Sequence, residues 1–280
     1  MNQIIRLQIT ALPVRRCTIP EGPEVANFVR SINNFIGGGI QLLSVTPLTG
    51  RYTKKQIEGI SGVQFPINII DVKCKGKFIY WLTDTDTVIF NTLGMSGSWS
   101  NRERNARVMF ETSEGNLFFN DPRNFGTIKF TNTKGLETKL KSLGPDMLNE
   151  DVKPETFIES LRKHPKFTLA EALMNQGVVS GVGNYLKADS LWLAKLSPHR
   201  TVSQCTDDQL RFLHESVRSV IKTAYENGGS TILTYKGFDG EEGNHSMLVY
   251  GRKTDPNGEQ VVCEETKDGR TTWWCPRVQL

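Results

Sequence analysis

After Pro20 the apolar positions recur at helical spacing. Val25, Phe28, Val29, Ile32, Phe35 and Ile36 share one face, and Gly37, Gly38 and Gly39 follow as a stop. Pro23 suits a first turn, where a missing N–H costs nothing. The spacing predicts a helix that begins within a few residues of Pro20. From Ile40 to Phe130 the pattern changes to short runs rich in β-branched and aromatic residues: FIYWL, TVIF, ARVMF, NLFF and TIKF, with DTDT and SEGN as turns. These predict an antiparallel sheet in a two-layer sandwich, with the leading helix packed near one edge.

The stretch from Thr131 to Pro154 is polar, contains Gly144 and Pro145, and predicts an interdomain connection. Helical stripes return over 155–164, 168–175, 184–195 and 206–227, the last carrying Leu210, Leu213, Val217, Val220, Ile221 and Ala224. Residues 247–280 again look hairpin-like: MLVYG, EQVVCEE, the turn KDG, then TTWWC. The class is therefore α+β. The expected parts are an extension over 1–19, a β-sandwich over 20–136, a linker over 137–154, a helical domain over 155–246 and a terminal hairpin over 247–280.

Composition narrows this picture. A length of 280 residues leaves room for two domains of roughly 100–200 residues each. With 38% hydrophobic and 23% charged residues, disorder throughout is excluded. No apolar run approaches the ~18 residues of a spanning helix. Lys plus Arg number 34 against 30 Asp plus Glu, a net charge of +4, which permits a polyanionic partner without demanding one. Five scattered cysteines look like reduced thiols of an intracellular protein, not a disulfide framework. Residues 1–19 hold Arg6, Arg15 and Arg16 and no acid. A tail or a misassigned start is the plainer reading of them, and an organelle presequence the lesser one.

Several motifs carry candidate chemistry. In PEGPEV, Glu21 and Glu24 stand three apart around a helix start. They either complement the helix dipole or serve a reaction, and the second reading needs Pro20 to carry a free amine. A secondary amine attacking an aldehyde-level carbon gives an iminium that is charged without a protonation step, and a helix N-terminus disfavours the ammonium form. Glu21 then serves as proton donor. In KCKGKF, Lys73, Lys75 and Lys77 alternate, which places them on one strand face, either solvated or facing phosphates.

Met95 lies between Gly94 and Gly97, and Arg123 and Phe125 lie on a loop opened by Asp121 and Pro122. An apolar wedge beside an arginine is equipment for entering a base stack, though such residues also serve as core filler or a plug. In QGVVSGVGNYLKAD, Gly181 and Gly183 bracket a turn and Asn184 opens the next helix. This is either a backbone phosphate site or ordinary helix–turn–helix architecture. WWCP at the end hints at a zinc ribbon, but Cys263 and Cys275 alone cannot close a tetrahedral site, so no metal and no other cofactor is expected. Arg270, at the tip of the last hairpin, is a solvated turn residue or a phosphate contact.

Together, PEGPEV, KGKF, LGMSG, DPRNFG, LGPDML, QGVVSGVGNYLKAD, VYGRK and DGRTTWWCP resemble the formamidopyrimidine-DNA glycosylase / endonuclease VIII family, in the family's order and from Pro20 to Gln279. The tail is similar to the zincless finger of the endonuclease VIII-like 1 branch: zinc-bearing members have cysteines where Asn257, Gln260 and Val278 stand, and only Cys275 matches. The resemblance implies a sandwich domain, a helix–two-turn–helix DNA-binding domain and a zincless finger. It implies a monomeric, bifunctional DNA glycosylase and abasic-site lyase of base excision repair, acting on damaged duplex DNA wherever DNA resides, with single-stranded or bubble DNA left open.

By the same resemblance Pro20 is the nucleophile and Glu21 the proton donor. Glu24 helps order the site, and Lys77 contacts phosphates at the lesion. Met95, Arg123 and Phe125 fill the hole left by the extruded nucleotide, while Asn184 and Arg270 contact phosphate. Oxidised pyrimidines and ring-opened purines are the expected substrates, released through a Schiff base with β,δ-elimination. One departure stands out: Ile19 precedes Pro20, so in the uncut chain the proline nitrogen is an amide. The expectation is an active form beginning at Pro20; otherwise the lyase step is lost or falls to a lysine. The alternatives are a damaged-DNA or abasic-DNA binder without catalysis and, from fold signals alone, a zinc-ribbon nucleic-acid adaptor.

Overall fold

A computed structural model of the chain describes residues 20–229 and 243–280. The readings of the extension 1–19 lie outside the described residues. Helix α1 (Gly22–Ile36) begins at Glu21, whose N–H donates to the Glu24 carboxylate at 2.9 Å, and ends at Gly37, which adopts the left-handed φ of 57°. Its buried stripe of Val25, Phe28, Val29, Ile32 and Ile36 is the one the spacing predicts.

Eight strands follow: β1 (Ile40–Pro47), β2 (Ile67–Lys75), β3 (Phe78–Thr83), β4 (Thr87–Thr92), β5 (Ser98–Ser100), β6 (Ala106–Thr112), β7 (Gly115–Asn120) and β8 (Thr127–Asn132). They pair antiparallel in the order β5-β7-β6-β1-β2-β3-β4-β8. In that order β3 and β5 are five places apart, which in a flat sheet means a separation of roughly 24 Å. Yet the rings of Trp81 in β3 and Trp99 in β5 lie 4.9 Å apart, and the Trp99 indole N–H donates to Asn91 Oδ1 in β4 at 3.0 Å. The single sheet therefore folds over itself into two layers. The tryptophans, Phe110, Phe119 and the α1 stripe fill the space between.

Two sequence expectations need correction. The polar stretch after Thr131 is not an open connection: it forms helix α2 (Thr133–Lys141), capped by the Asn132 side chain accepting the Gly135 N–H at 2.9 Å. Leu136 packs against Phe78 and Val88, and Met147 further on joins the core of the helical domain. The expected 137–154 linker thus starts inside a helix and packs on both domains. MLVYG, expected in a hairpin, is not a strand. The N–H groups of Leu248, Val249 and Tyr250 converge instead on the buried carboxylate of Asp189, at 2.8, 2.9 and 3.1 Å.

The helical domain holds α3 (Pro154–Arg162), α4 (Leu169–Met174), α5 (Asn184–Leu193) and α6 (Asp207–Glu226), as their stripes predict. Thr168 with Glu171 and Thr206 with Gln209 form capping boxes at the starts of α4 and α6. Strands β9 (Val262–Glu265) and β10 (Thr271–Trp274) form the terminal hairpin, with Trp273 opposite Cys263.

Candidate active site

Three glycine backbones meet between the domains. The Gly22 N–H donates to the Gly181 carbonyl at 2.9 Å. A Cβ on Gly76, which has a φ of 59°, would lie 2.5 Å from the Gly181 nitrogen, closer than real atoms approach. The start of α1, the β2–β3 turn and the turn before α5 therefore touch backbone to backbone, and a side chain on Gly76 would force them apart. The buried carboxylate of Asp146 fixes the arrangement by accepting the Gly76 N–H at 2.7 Å.

This contact brings Glu21, Lys77 and Gly183 to one point. The Glu21 carboxylate accepts N–H bonds from Gly183 at 2.8 Å, Tyr185 at 2.9 Å and Leu186 at 3.3 Å. A Cβ on Gly183 would sit 2.3 Å from the Glu21 carboxyl carbon and 2.6 Å from Lys77 Nζ, so acid and amine cover the same bare patch of backbone. Burial pushes the Glu21 carboxyl up to about 7, reinforced by Glu24 and opposed by Lys77 and the backbone N–H bonds. Burial pushes the Lys77 amine below its ordinary value, with the charge of Arg270 helping and the two carboxylates opposing. Acid and base thus move toward each other on the pH scale, a pattern common in catalytic pairs.

Glu24 is fully buried. Besides capping Glu21 it accepts the Tyr185 hydroxyl at 3.0 and 3.2 Å. Glu21 and Glu24 are therefore both tied to α5, and neither is merely a charge complementing the dipole of α1.

The lysine row does not survive folding. Lys73 stays on β2 beside Asp71 at 3.3 Å, and Lys75 pairs with Glu150 at 2.8 Å. Lys77 lies past the Gly76 turn, which ends the alternation and sends its side chain to Glu21. Gly183 also departs from expectation: the anion its N–H receives is the protein's own Glu21.

Next to this pair is a cavity of about 280 Å³, lined by Pro20, Lys77, Phe78, Leu93, Gly94 and Gln176, among others. Leu93 and Gly94 lead directly to Met95. Gly94, with a φ of 59°, lies against the other candidate loop: a Cβ there would be 2.6 Å from the Gly126 nitrogen and 3.0 Å from Phe125 Cβ. Asp121 locks the two loops together by accepting the Ser96 hydroxyl at 2.5 Å and the Gly126 N–H at 2.7 Å, while the Arg123 N–H donates to Ser96 Oγ at 3.0 Å. Phe125 is 54% exposed, and the Arg123 guanidinium lies 5.3 Å from its ring centre. An aromatic ring held out in water by a braced loop contributes nothing to the core, which disfavours the plug reading.

The Asn184 side-chain amide donates to the Thr271 carbonyl of β10 at 2.7 Å. One helical turn on, Lys187 forms a buried ion pair with Asp268 at 2.7 Å. These two contacts dock the terminal hairpin on α5 and carry the exposed Arg270 toward Lys77. Among the described residues no three His, Cys, Asp or Glu side chains gather into a metal site.

A family model described as the formamidopyrimidine-DNA glycosylase N-terminal domain matches residues 19–128, and the H2TH domain model of the same enzyme matches 143–236. A formamidopyrimidine-DNA glycosylase from Brevibacillus brevis is 31% identical over 277 residues, covering 93% of this chain and 99% of that one. The chain belongs to the formamidopyrimidine-DNA glycosylase family. The MutM (Fpg) protein of Thermus thermophilus superposes with a TM-score of 0.83 at 27% identity, covering 93% of this chain and 98% of that one. The wild-type Fpg of Lactococcus lactis, in complex with DNA containing an oxidised pyrimidine, gives 0.80 at 26% identity, with 93% and 99% coverage.

Within this glycosylase family member, the structure brings Glu21, Glu24 and Lys77 together and puts Pro20 in the adjoining cavity. It places Met95, Arg123 and Phe125 on two braced loops beside that cavity, and Arg270 exposed on the hairpin docked against α5. Sequence reasoning missed Tyr185, Lys187 and Asp268. Tyr185 and Lys187 lie inside QGVVSGVGNYLKAD, where a lysine amid apolar residues was the available clue.

Proposed function

We propose that this protein is a DNA glycosylase and abasic-site lyase of base excision repair that removes oxidised pyrimidines and ring-opened purines. The observation that carries the reading is the pairing of buried Glu21 with half-buried Lys77 beside the Pro20 cavity, with exposed Phe125 and Arg123 near its mouth. A damaged base is less firmly stacked, so extruding it costs less, on the order of a few kcal/mol. Met95, Arg123 and Phe125 occupy the vacated space and offset part of that cost. Lys77, Asn184 and Arg270 hold the flanking phosphates, and Asn184 also ties down the finger that carries Arg270. These contacts position the duplex without reading its sequence, as a search for damage requires.

The Pro20 nitrogen, as a free secondary amine, attacks C1′ of the sugar. Glu21, held near neutral pH as an acid, protonates the sugar as its ring opens. The base departs, and an iminium joins protein to sugar. The iminium acidifies the C2′ hydrogen, so the 3′ phosphate is eliminated, and a second elimination removes the 5′ phosphate. The tail belongs with the zincless fingers: Cys263 is exposed, Cys275 is buried, and the buried Lys187–Asp268 pair supplies the docking. The enzyme acts as a monomer in whichever compartment holds its DNA.

A second reading has its own support: the Ile19–Pro20 peptide bond removes the proline lone pair and favours a non-catalytic binder of damaged or abasic DNA. The test uses lesion-bearing oligonucleotides with two forms of the protein, one beginning at Pro20 and one at Met1. Incision and a borohydride-trapped adduct are expected from the Pro20 form. Tight, salt-sensitive binding with no incision from that form would leave the binder reading in possession.

A further inference from the structure

The cavity beside Glu21 is lined by Pro20 and by three lysines, Lys75, Lys77 and Lys139, and the residue before Pro20 decides whether the proline nitrogen is free to compete with them. With Ile19 attached, the Pro20 nitrogen is an amide and cannot attack. The Lys77 amine lines the same cavity and carries no such constraint. We propose that in the chain that retains Ile19, Lys77 is the nucleophile of an abasic-site lyase activity. This inference rests on the DNA-directed reading above and assigns that cavity a second chemistry.

The geometry supplies what the step needs. Lys77 Nζ and the Glu21 carboxyl cover the same face of Gly183, so donor and nucleophile are adjacent. The cavity, at about 280 Å³, is several times the ~30 Å³ a water molecule occupies in the liquid and admits a sugar. Burial lowers the proton affinity of the amine, which increases the neutral fraction able to attack. Of the other lining lysines, Lys75 is paired with Glu150 at 2.8 Å and Lys139 lies over the Phe78 ring at 5.5 Å, whereas Lys77 shares the Gly183 patch with the proton donor Glu21.

The reaction balances without an added oxidant or reductant. The Nζ lone pair attacks the C1′ aldehyde of a ring-opened abasic deoxyribose to form a carbinolamine. Glu21 gives its proton to the C1′ hydroxyl, which leaves as water and yields the protonated imine. The Glu21 carboxylate then takes a C2′ hydrogen, and the electron pair of that bond expels the 3′ phosphate. Water hydrolyses the imine, returning the amine and the unsaturated aldehyde. A primary amine gives an imine that stays charged only while protonated, so this activity is slower than that of a free Pro20.

Borohydride trapping on an abasic oligonucleotide tests the inference. The protein beginning at Met1 is verified by intact mass before and after reaction, and the adduct is located by digestion and mass spectrometry. The expected result is an adduct on Lys77 and its loss in Lys77→Arg, whose guanidinium keeps the charge but is no nucleophile. Fluorescence anisotropy checks that Lys77→Arg still binds abasic DNA; should it fail to bind, the location of the wild-type adduct decides alone. An adduct on any other residue, undiminished trapping by Lys77→Arg, or no adduct from intact Met1 protein overturns the inference. The form beginning at Pro20 runs in parallel: an adduct on Pro20 there preserves the wider reading when Lys77 fails, and no adduct in either form removes both.

Discussion

The Gly183 N–H donates to the Glu21 carboxylate at 2.8 Å although the two residues stand 162 positions apart. That bond joins the first turn of the sandwich domain to the first turn of α5. It holds the acid where burial raises it to about 7. Most of what this molecule is expected to do follows from that contact and the residues that permit it.

Glu21→Gln keeps the volume and removes the proton donor. In protein beginning at Pro20, incision of lesion-bearing duplex should fall by about 10²–10⁴-fold, the usual worth of a positioned general acid. Thermal unfolding should still be cooperative. Incision equal to wild type would withdraw the role given to Glu21.

The pH dependence has a definite sign. A carboxyl raised from 4.5 to about 7 is protonated in the fold over a range where the unfolded chain has released its proton. Its contribution to stability is complete below 4.5 and disappears as pH rises through about 7. Acid-dependent incision should fall over that same upper limb, with Lys77 and Glu24 the neighbouring charges that modulate it. Glu21→Gln should flatten the corresponding part of the melting-temperature profile between pH 4.5 and 7, and calorimetry across that range checks it.

Gly183→Ala tests the meeting point directly. The backbone there has a φ of −130°, which alanine adopts freely, so any effect comes from the methyl group. That methyl would lie 2.3 Å from the Glu21 carboxyl carbon and 2.6 Å from Lys77 Nζ. Displacing both by about 1 Å should lower single-turnover incision by roughly 10²-fold while leaving the circular-dichroism spectrum unchanged. An active Gly183→Ala enzyme would show that the acid and amine need not share this patch.

Phe125→Ala removes an exposed ring that packs no core. The melting temperature should stay within the spread of surface substitutions, about 0.5 kcal/mol in stability. Binding to lesion duplex should weaken by about 1–3 kcal/mol, the usual contribution of one aromatic stack against a base. Titration by anisotropy with matched lesion-bearing and undamaged duplexes measures the difference, and equal losses on both would argue against a wedge.

Lys187→Met leaves Asp268 buried without its cation. Breaking such a pair from one side costs about 3–5 kcal/mol, whereas removing both partners is far milder. Lys187→Met should lower stability markedly, and Lys187→Met with Asp268→Leu should recover much of it. Arg270→Ala, by contrast, should spare stability and reduce the salt dependence of DNA binding by about one phosphate contact. Calorimetry of the single and double variants, with salt titrations for Arg270→Ala, separates docking of the finger from its contact with DNA.

Much of this was legible in local pattern. The stripe from Val25 to Ile36 and the glycines after it specify α1, because period and stop are both local properties. Alternating aromatic and β-branched runs marked five of the eight sheet strands, and PEGPEV marked two carboxylates around a helix start. Chain chemistry alone also raises the Ile19–Pro20 question, since an amide nitrogen is an amide in any fold. The short helix α2 was hidden because its apolar face amounts to little more than Leu136 and Leu140 in a polar stretch.

What the sequence could not determine was which distant groups converge. Lys77 leaves the row of Lys73 and Lys75 because a glycine turn redirects it toward Glu21, and the Gly183 N–H goes to that carboxylate in place of a phosphate. Lys187 is buried because a hairpin some eighty positions later covers it with Asp268. Periodicity reports only which face of an element is apolar. Burial, proton affinity and reach depend on what packs against that face: for Lys77 and Gly183 the partner is Glu21 across the domain boundary, where glycine backbones meet, and for Lys187 it is the terminal hairpin.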